Sequence, residues 1–291
     1  SDLMIIAIVG PTGVGKTKMS IELAHRYNAI IVNCDAMQVY KGLDIGTAKI
    51  TEEEKENIPH YLFDIREVNE KYTIYDYQKD VRKLLKEHKN KNIILVGGTG
   101  LYLKAALYDY RFEDENEEEV QNLDSLSNEE LYKMVIEKDP NSTIHPNNRV
   151  RMERFINKKN IVQVEPIKLY DHILIGLTTD RDTLYDRINK RVNIMIDNGL
   201  ITEAKSFYDK GINEGPLIRG IGYKELYEYF DGKVSLEKAL DKIKQNSRHY
   251  AKRQYTFFNN QLDVKWFNVD FNNFDNTIKE VEEYIEGENK W

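Results

Sequence analysis

Cysteine is almost absent from this sequence, because Cys34 is the only one among 291 residues. A single thiol excludes disulfide bonds within the chain and zinc sites built from several cysteines. No apolar run approaches the roughly 20 residues needed to cross a bilayer. The first residues also lack the basic segment and cleavage site of a secretory signal. We therefore expect a cytoplasmic protein with no association with a membrane. We also expect a monomer.

An excess of positive charge is also lacking. The net charge of −7 argues against indiscriminate binding to nucleic acids. The two signs are unevenly distributed, however. Six of the seven residues from 113 to 119 are acidic, whereas residues 242–262 contain five Lys or Arg and no Asp or Glu. A local basic groove is therefore compatible with the acidic total.

Four short apolar segments have the composition of buried strands. They are LMIIAIVG at residues 3–10, AIIVNCD at 29–35, NIILVGG at 92–98 and HILIGLTTD at 172–180. Segments with helical spacing separate them. Strands that alternate with helices predict a parallel α/β sheet, in which ligands bind at the carboxyl ends of the strands.

The pattern changes between about residues 107 and 171, where acidic and polar residues dominate and strand signals are few. Within this region, SNEELYKMVIEKDP at 127–140 has helical spacing. We interpret the region as a helical insertion into the α/β core. Beyond residue 200, the chain is predicted to be mostly helical.

The most specific motif is GPTGVGKT at residues 10–17, which follows the first predicted strand and precedes a predicted helix. It has the G-x-x-x-x-G-K-[ST] pattern of a phosphate-binding loop. Its glycines allow successive backbone N–H groups to point into one concavity, and the next helix adds its positive dipole end. Lys16 supplies a full charge, and Thr17 supplies a hydroxyl suited to Mg²⁺.

Two further loops also follow predicted strands. Asp35 could hold a metal as in nucleotide hydrolases, but Gln38, Tyr40 and Lys49 nearby suit a loop that faces a second substrate. A structural Asp35 that caps the next turn is the alternative. Glycines flank Thr99 on both sides, which allows close backbone approach, although simple turn chemistry would also explain them. The three loops are predicted to converge on one crevice.

The segment IKQNSRHYAKRQYTFFNNQ, at residues 243–261, places Lys244, Arg248 and Lys252 on one face of a predicted helix. Aromatic side chains between these cations could stack on bases, whereas a solvated charged face above buried aromatics is the alternative. Two more basic pairs lie one helical turn apart, namely Arg151 with Arg154 and Arg187 with Arg191. Several basic helices around a phosphate-binding core favour a structured RNA as partner.

In an ordered set of motifs, the chain resembles the tRNA dimethylallyltransferases, also called tRNA isopentenyltransferases. The motifs are GPTGVGKT, DAMQVYKGLDIGTAK, GGTGLYLKAAL, HPNNRVRMERF, RDTLYDRINKRVNIMIDNGL, IRGIGYKEL and RHYAKRQYTFF. Together they cover nearly the whole chain in the right order, which makes the set far more specific than any one motif. The single cysteine and the short tail favour the bacterial form of the family.

The resemblance implies an α/β fold with a P-loop nucleotide-kinase-like parallel sheet flanked by helices. Residues 1–110 and 172–291 would form this catalytic core, and residues 111–171 a helical insertion that contacts tRNA. The implied reaction transfers a dimethylallyl group from dimethylallyl diphosphate to N6 of adenosine 37, beside the tRNA anticodon. Diphosphate would be the leaving group, with Mg²⁺ as cofactor.

The same resemblance implies the site residues. Asp35 matches the general base, Thr99 the residue that orients it and Arg219 the residue that meets the departing diphosphate. The diphosphate-binding loop comprises Gly10, Pro11, Thr12, Gly13, Val14, Gly15, Lys16 and Thr17, with Mg²⁺ at Thr17. The tRNA-binding positions are Asp35, Ala36, Met37, Gln38, Val150, Arg151, Arg154, Arg219, Gly222, Tyr223, Lys224, Lys252, Arg253 and Gln254.

Two other functions share some of these features. A small-molecule kinase of the nucleotide or shikimate kinase kind would have the same loop and sheet, but it would not use the basic C-terminal helix. An RNA-binding protein whose loop binds nucleotide only as a switch would leave Asp35 and Thr99 without a role.

Overall fold

A computed structural model describes residues 3–111, 121–157 and 167–289. Its strands are β1 (Ile5–Val9), β2 (Ala29–Asn33), β3 (His60–Tyr61), β4 (Asn92–Val96), β5 (Ile173–Thr178) and β6 (Lys265–Asn268). They form one six-stranded sheet in the order β3-β2-β4-β1-β5-β6. All the pairings are parallel. The central strand β1 therefore has its carboxyl end between those of β4 and β5.

Helices cover both faces of the sheet and extend beyond it. They are α1 (Lys16–Tyr27), α2 (Ile74–Glu87), α3 (Gly100–Leu107), α4 (Asn128–Lys138), α5 (Arg149–Asn157), α6 (Arg181–Asp197), α7 (Leu200–Asp209), α8 (Pro216–Arg219), α9 (Tyr223–Phe230), α10 (Leu236–Gln261) and α11 (Phe274–Glu288). No helix in the described ranges has the length and apolar character that crossing a membrane requires.

Two apolar layers sandwich the sheet. Ile6 and Ile8 of β1 pack with residues of α1, α6 and α11. Ala7 and Val9 point to the opposite face and pack with residues of α2 and α3. This alternation follows from the two-residue period of a strand, and burial on both faces explains why the strand segments are almost continuously apolar. A third cluster joins the end of α6 to α7, α8, α9 and the start of α10.

The predicted parallel α/β architecture is confirmed, and all four predicted strands are present. The sequence did not reveal β3, which has two residues, or β6 near the end of the chain. Strand β6 reads KWFN, and only Phe267 in it is buried. An edge strand of four residues with one buried side chain has too little apolar pattern to be recognised.

Within the predicted insertion, the described residues 121–157 contain two helices, α4 and α5, joined by irregular backbone. The two helices share a small apolar cluster that includes Leu131, Val135 and Met152. The two ends of the insertion lie side by side, where the Asp109 N–H donates to the Ile167 oxygen at 2.8 Å. The boundaries at 111 and 171 and the contact with tRNA stay predictions. The acidic run at 113–119 lies outside the described residues.

Candidate active site

The phosphate loop is an open turn between β1 and α1. The φ angles of Gly10, Gly13 and Gly15 are 141°, 87° and 100°, which residues with side chains rarely adopt. Val14 between them is buried in the core, so it contributes to the loop through its backbone. Gly15 precedes α1, and no described side chain caps this helix. Its first-turn N–H groups are therefore free to bind an anion.

Lys16 places a cation across this turn. Its ammonium donates hydrogen bonds to the carbonyl oxygens of Gly10 at 2.5 Å and Pro11 at 2.9 Å. The residue as a whole is half-buried, and burial lowers the pKa of its ammonium to about 8 despite attraction from Asp35. Because the charged form is poorly solvated, a bound phosphate would stabilise it strongly.

Asp35 follows β2, and a turn fixes its carboxylate. Oδ1 accepts hydrogen bonds from the N–H groups of Met37 at 2.8 Å and Gln38 at 3.3 Å. Among the described residues, no donor is recorded for Oδ2. Burial raises the pKa of Asp35, against the opposing effects of the Met37 hydrogen bond and Lys16. Oδ1 therefore caps the turn, as expected of a structural aspartate. Oδ2 is available as a proton acceptor.

Thr99 connects the Asp35 turn to the end of β4. Its Oγ1 accepts a hydrogen bond from the Ala36 N–H at 2.9 Å, and its own N–H donates to the Cys34 oxygen at 3.2 Å. Only 2% of Thr99 is exposed. Gly97 makes the approach possible, because a Cβ there would overlap the Cys34 carbonyl. Thr99 is thus placed to hold the loop that carries Asp35.

A cavity of about 500 Å³ opens beside these loops. Thr12, Asp35 and Thr99 line it, as the predicted convergence of the three loops requires. Arg219, the last residue of α8, lines it from the helical C-terminal region. Burial lowers the pKa of Arg219, and Tyr40 partly offsets this effect. The structure therefore brings the three predicted catalytic residues to one cavity.

Two arginines of α6 lie against the phosphate loop, although their spacing had suggested an RNA-facing pair. Arg187 Nε donates to the Gly13 oxygen at 2.9 Å. Arg191 lines the cavity, and its buried Nε has no hydrogen-bond partner among the described residues. Its pKa is lowered by burial and then by Arg187. One signal in the sequence could have predicted this position. Helix α6 follows β5, and β5 pairs with β1, the strand that leads into the phosphate loop.

Sequence reasoning also missed Tyr250 of α10. This side chain lines the cavity together with Thr99. Burial raises its pKa well above the usual value, so its hydroxyl stays neutral. The aromatic interleaving of the predicted helix was the only sequence signal for it.

The predicted tRNA-binding residues have different environments. One group lines the cavity, namely Asp35, Ala36, Met37, Arg219, Gly222 and Gln254. A second group is exposed, namely Val150, Arg151 and Lys252, and Arg154 is half-buried. Both groups are accessible to a large partner or to a base that enters the cavity.

Four other predicted tRNA-binding residues already have protein partners. Tyr223 is fully buried, and its hydroxyl donates to Glu203 at 2.6 Å. Gln38 donates to the Thr47 oxygen at 2.8 Å. The Lys224 ammonium binds both carboxylate oxygens of Glu130 and the Ser125 oxygen. Arg253 donates twice to the Asp124 oxygen. The last two side chains attach the insertion to α9 and α10, so their contact with tRNA stays a prediction.

The sequence matches a protein-family model described as IPP transferase over residues 38–261. A relative named tRNA dimethylallyltransferase from Anoxybacillus flavithermus is 47% identical, over 97% of this chain and 96% of the relative. Another relative of the same name, from Bacillus subtilis, is 44% identical over 91% of this chain and 90% of its own length.

Solved structures agree with this result. The tRNA isopentenylpyrophosphate transferase from Bacillus halodurans superposes with a TM-score of 0.76 and 43% identity, covering 98% of this chain and 96% of that one. A eukaryotic dimethylallyltransferase described as acting on tRNA gives a TM-score of 0.73 at 25% identity, and the match covers 99% of this chain and 80% of that one. The chain has a phosphate loop, its Asp35 and Thr99 line one cavity, and it matches these relatives over nearly its whole length. It therefore belongs to the IPP transferase family.

Proposed function

We propose that this enzyme transfers a dimethylallyl group from dimethylallyl diphosphate to N6 of adenosine 37 in the anticodon stem-loop of tRNA. The observation that carries the proposal is that Thr12 of the phosphate loop and Asp35 line one cavity, and that Lys16 of the loop is close enough to Asp35 to be attracted by its charge. The relatives reported above are all named as transferases of this kind, so they give no support to the kinase alternative. The bond that breaks is between carbon and oxygen, and no phosphoryl group moves.

The phosphate loop would hold the leaving group. As the allylic C1–O bond breaks, negative charge builds up on the diphosphate, and Lys16, Arg191, Arg219 and the first N–H groups of α1 would stabilise it. Preorganised donors of this kind contribute about 3–4 kcal/mol each in other enzymes. The low pKa of Lys16 and the unpartnered Nε of Arg191 both fit a site that a diphosphate completes.

Magnesium fits this site as a partner of the diphosphate. Thr17, the second residue of α1, offers a hydroxyl, whereas the described residues contain no cluster of three carboxylate, histidine or cysteine ligands. Mg²⁺ commonly takes most of its ligands from phosphate oxygens and water, so one hydroxyl is a sufficient protein contribution. When bound, Mg²⁺ would neutralise charge on the leaving diphosphate.

Asp35 would act on the incoming amine. Its Oδ2 would accept one proton from N6 of adenine as the new C–N bond forms, which leaves a neutral secondary amine on the base. Adenine N6 is a weak nucleophile because its lone pair is delocalised into the ring. The raised pKa of Asp35 makes it a stronger proton acceptor than an ordinary aspartate. Thr99 would hold the Asp35 loop in place.

The RNA would approach the open side of the cavity. The adenine must leave its stack to enter, which costs a few kcal/mol and less in a loop than in a duplex. Exposed cations such as Arg151 and Lys252 would bind the phosphates. Gln254 is placed at the cavity wall, where its buried Oε1 lacks a protein partner among the described residues. We place the enzyme in the cytoplasm as a monomer.

One assay tests this function. The enzyme is incubated with Mg²⁺, unmodified tRNA and dimethylallyl diphosphate labelled at C1, and the label in RNA and the released diphosphate are both counted. We expect equal amounts of the two, no transfer with EDTA and no transfer to a transcript with guanosine at position 37. A parallel incubation also contains ATP, and consumption of that ATP with no label in the RNA would indicate a small-molecule kinase and refute the proposal.

A further inference from the structure

Residues 44–48, which we call the wall loop, form one side of the cavity beside Asp35. Gly46, Thr47 and Ala48 line the cavity. The φ angle of Ala48 is 52°, in the left-handed region that residues with side chains rarely adopt. Strained backbone of this kind persists only where the surrounding structure holds it in place. The shape of the wall loop therefore depends on its contacts with the rest of the protein.

The carboxylate of Glu203, in the first turn of α7, binds the backbone of the wall loop. Its Oε1 accepts hydrogen bonds from the N–H groups of Asp44 at 3.1 Å and Ile45 at 2.9 Å. Its Oε2 accepts from the N–H groups of Ile45 at 3.0 Å and Gly46 at 3.1 Å. Three successive N–H groups thus converge on one carboxylate, an arrangement that binds anions. The negative charge makes these bonds stronger than bonds to a neutral acceptor.

Tyr223 of α9 adds to the same contact. Its hydroxyl donates to Glu203 Oε2 at 2.6 Å. Burial and then the charge of Glu203 raise the pKa of this hydroxyl far above its usual value, so it stays a donor. The ring lies against Gly46, where a Cβ would be only 2.6 Å from Tyr223 Cζ. Glu203 and Tyr223 together fix the wall loop to the helical C-terminal region.

The wall loop is also bonded to the turn that carries Asp35. Gln38 Nε2 donates to the Thr47 oxygen at 2.8 Å. The backbone N–H of Gln38 donates to Asp35 Oδ1 at 3.3 Å, and the N–H of Met37 donates to the same oxygen at 2.8 Å. A continuous series of contacts therefore runs from Glu203, through the wall loop and Gln38, to the carboxylate of Asp35.

We propose that Glu203 is a positioning residue, which holds the wall loop and thereby fixes the turn that carries Asp35. This inference rests on the proposed function, because it takes Asp35 as the group that receives a proton from the acceptor. In the described part of the chain, Glu203 is neither among the residues that line the cavity nor bonded to the phosphate loop. It therefore acts through the wall loop, and diphosphate binding should not depend on it.

Amide hydrogen exchange tests the positioning role without an assay of activity. In Glu203→Ala, exchange should become faster by about tenfold or more at the three wall-loop amides that bind the carboxylate, and also at Met37 and Gln38. Asp209→Ala removes an exposed carboxylate from the end of the same helix and is the matched control, which should change none of these amides. Faster exchange confined to the wall loop would overturn the link to Asp35, and unchanged exchange in the wall loop would overturn the role of Glu203 altogether.

Chemical rescue tests the consequence for prenyl transfer. Glu203→Ala removes a CH₂ and a carboxylate, which together have the size of acetate. Single-turnover transfer should be slower by about tenfold or more, and acetate should restore most of this loss, whereas chloride at the same ionic strength should not. Glu203→Gln keeps the size of the side chain but replaces one acceptor oxygen with a donor. It should also be slow, and acetate should not rescue it because the space is filled.

Calorimetric affinity for inorganic diphosphate should stay within about twofold of the wild type in both Glu203 variants. Weakened diphosphate binding together with slow transfer would indicate a general loss of structure and would overturn the assignment. Wild-type transfer by Glu203→Ala, or equal rescue of both variants by acetate, would overturn it too. If the wild type itself transfers no prenyl group to tRNA, the proposed function fails, whereas the exchange results still decide whether Glu203 holds the Asp35 turn.

Discussion

Replacing Asp35 with asparagine separates its two roles. In the native turn, Oδ1 accepts hydrogen bonds from Met37 and Gln38, and an asparagine oxygen accepts them equally well. The amide nitrogen that replaces Oδ2 cannot take up a proton. We therefore expect Asp35→Asn to fold with nearly native stability. Asp35→Ala also loses the two loop hydrogen bonds, which resembles the loss of a helix cap and costs about 1 kcal/mol.

The expected loss of turnover follows from the role of a general base. Such groups contribute about 100-fold to 10,000-fold, so Asp35→Asn should slow the transfer step by about 100-fold or more, which is about 2.7 kcal/mol of transition-state stabilisation. Single-turnover transfer of labelled dimethylallyl groups to tRNA measures this step directly. Filter binding should show that tRNA affinity is largely retained, because the side-chain shape is conserved.

A particular result would refute this reasoning. If Asp35→Asn transfers the group within about fivefold of the wild-type rate, the carboxylate is not the base, and its role is the structural one that Oδ1 already performs. If Asp35→Asn is normal and Asp35→Ala is slow, the turn rather than the proton acceptor is what matters. The pair of variants therefore distinguishes the two interpretations that the sequence left open.

Four further predictions concern the surrounding residues. Lys16 must be protonated to bind diphosphate, so kcat/KM for dimethylallyl diphosphate should fall as the pH rises through about 8, and a profile flat to pH 10 would contradict this. Thr99→Val leaves the Ala36 N–H unpaired and should cost about 1–3 kcal/mol of folding stability and about tenfold in kcat, with rescue by Thr99→Ser. Arg191→Ala should weaken calorimetric binding of inorganic diphosphate by about tenfold or more. Lys252→Ala should lower tRNA affinity and reduce its salt slope by about one, whereas the exposed Lys238→Ala control on the same helix should change neither.

The phosphate loop and strands β1, β2, β4 and β5 were predictable because their signals are local. A phosphate loop is a contiguous motif, and the positive φ angles that it requires are adopted by glycines within that motif. A buried parallel strand can be recognised as a short apolar run. Strand β6 was missed because Phe267 alone in it is buried, so that its place at the sheet edge depends on pairing with β5.

Most of the environment of the candidate site was not predictable, because it depends on partners distant in sequence. The resemblance to the family predicted that Lys224 and Arg253 contact tRNA, yet Lys224 binds Glu130 and Arg253 binds a carbonyl oxygen in the insertion. Arg191 had looked like one half of an RNA-binding pair, yet it faces the cavity. A positive charge in a sequence indicates what a side chain can bind, whereas the fold decides which partner reaches it.

The attachment of the insertion has a consequence for catalysis. The Ser125 hydroxyl donates to the backbone oxygen of Arg219 at 2.9 Å, and Lys224, five residues after Arg219, holds the Ser125 oxygen. Arg219 lines the cavity where the diphosphate would leave. The segment around Ser125 is thus bonded to the backbone of a residue that we propose acts on the leaving group. If the insertion moves, it must either break these hydrogen bonds or move the backbone of Arg219 with it. The position of Arg219 therefore depends on the position of the insertion.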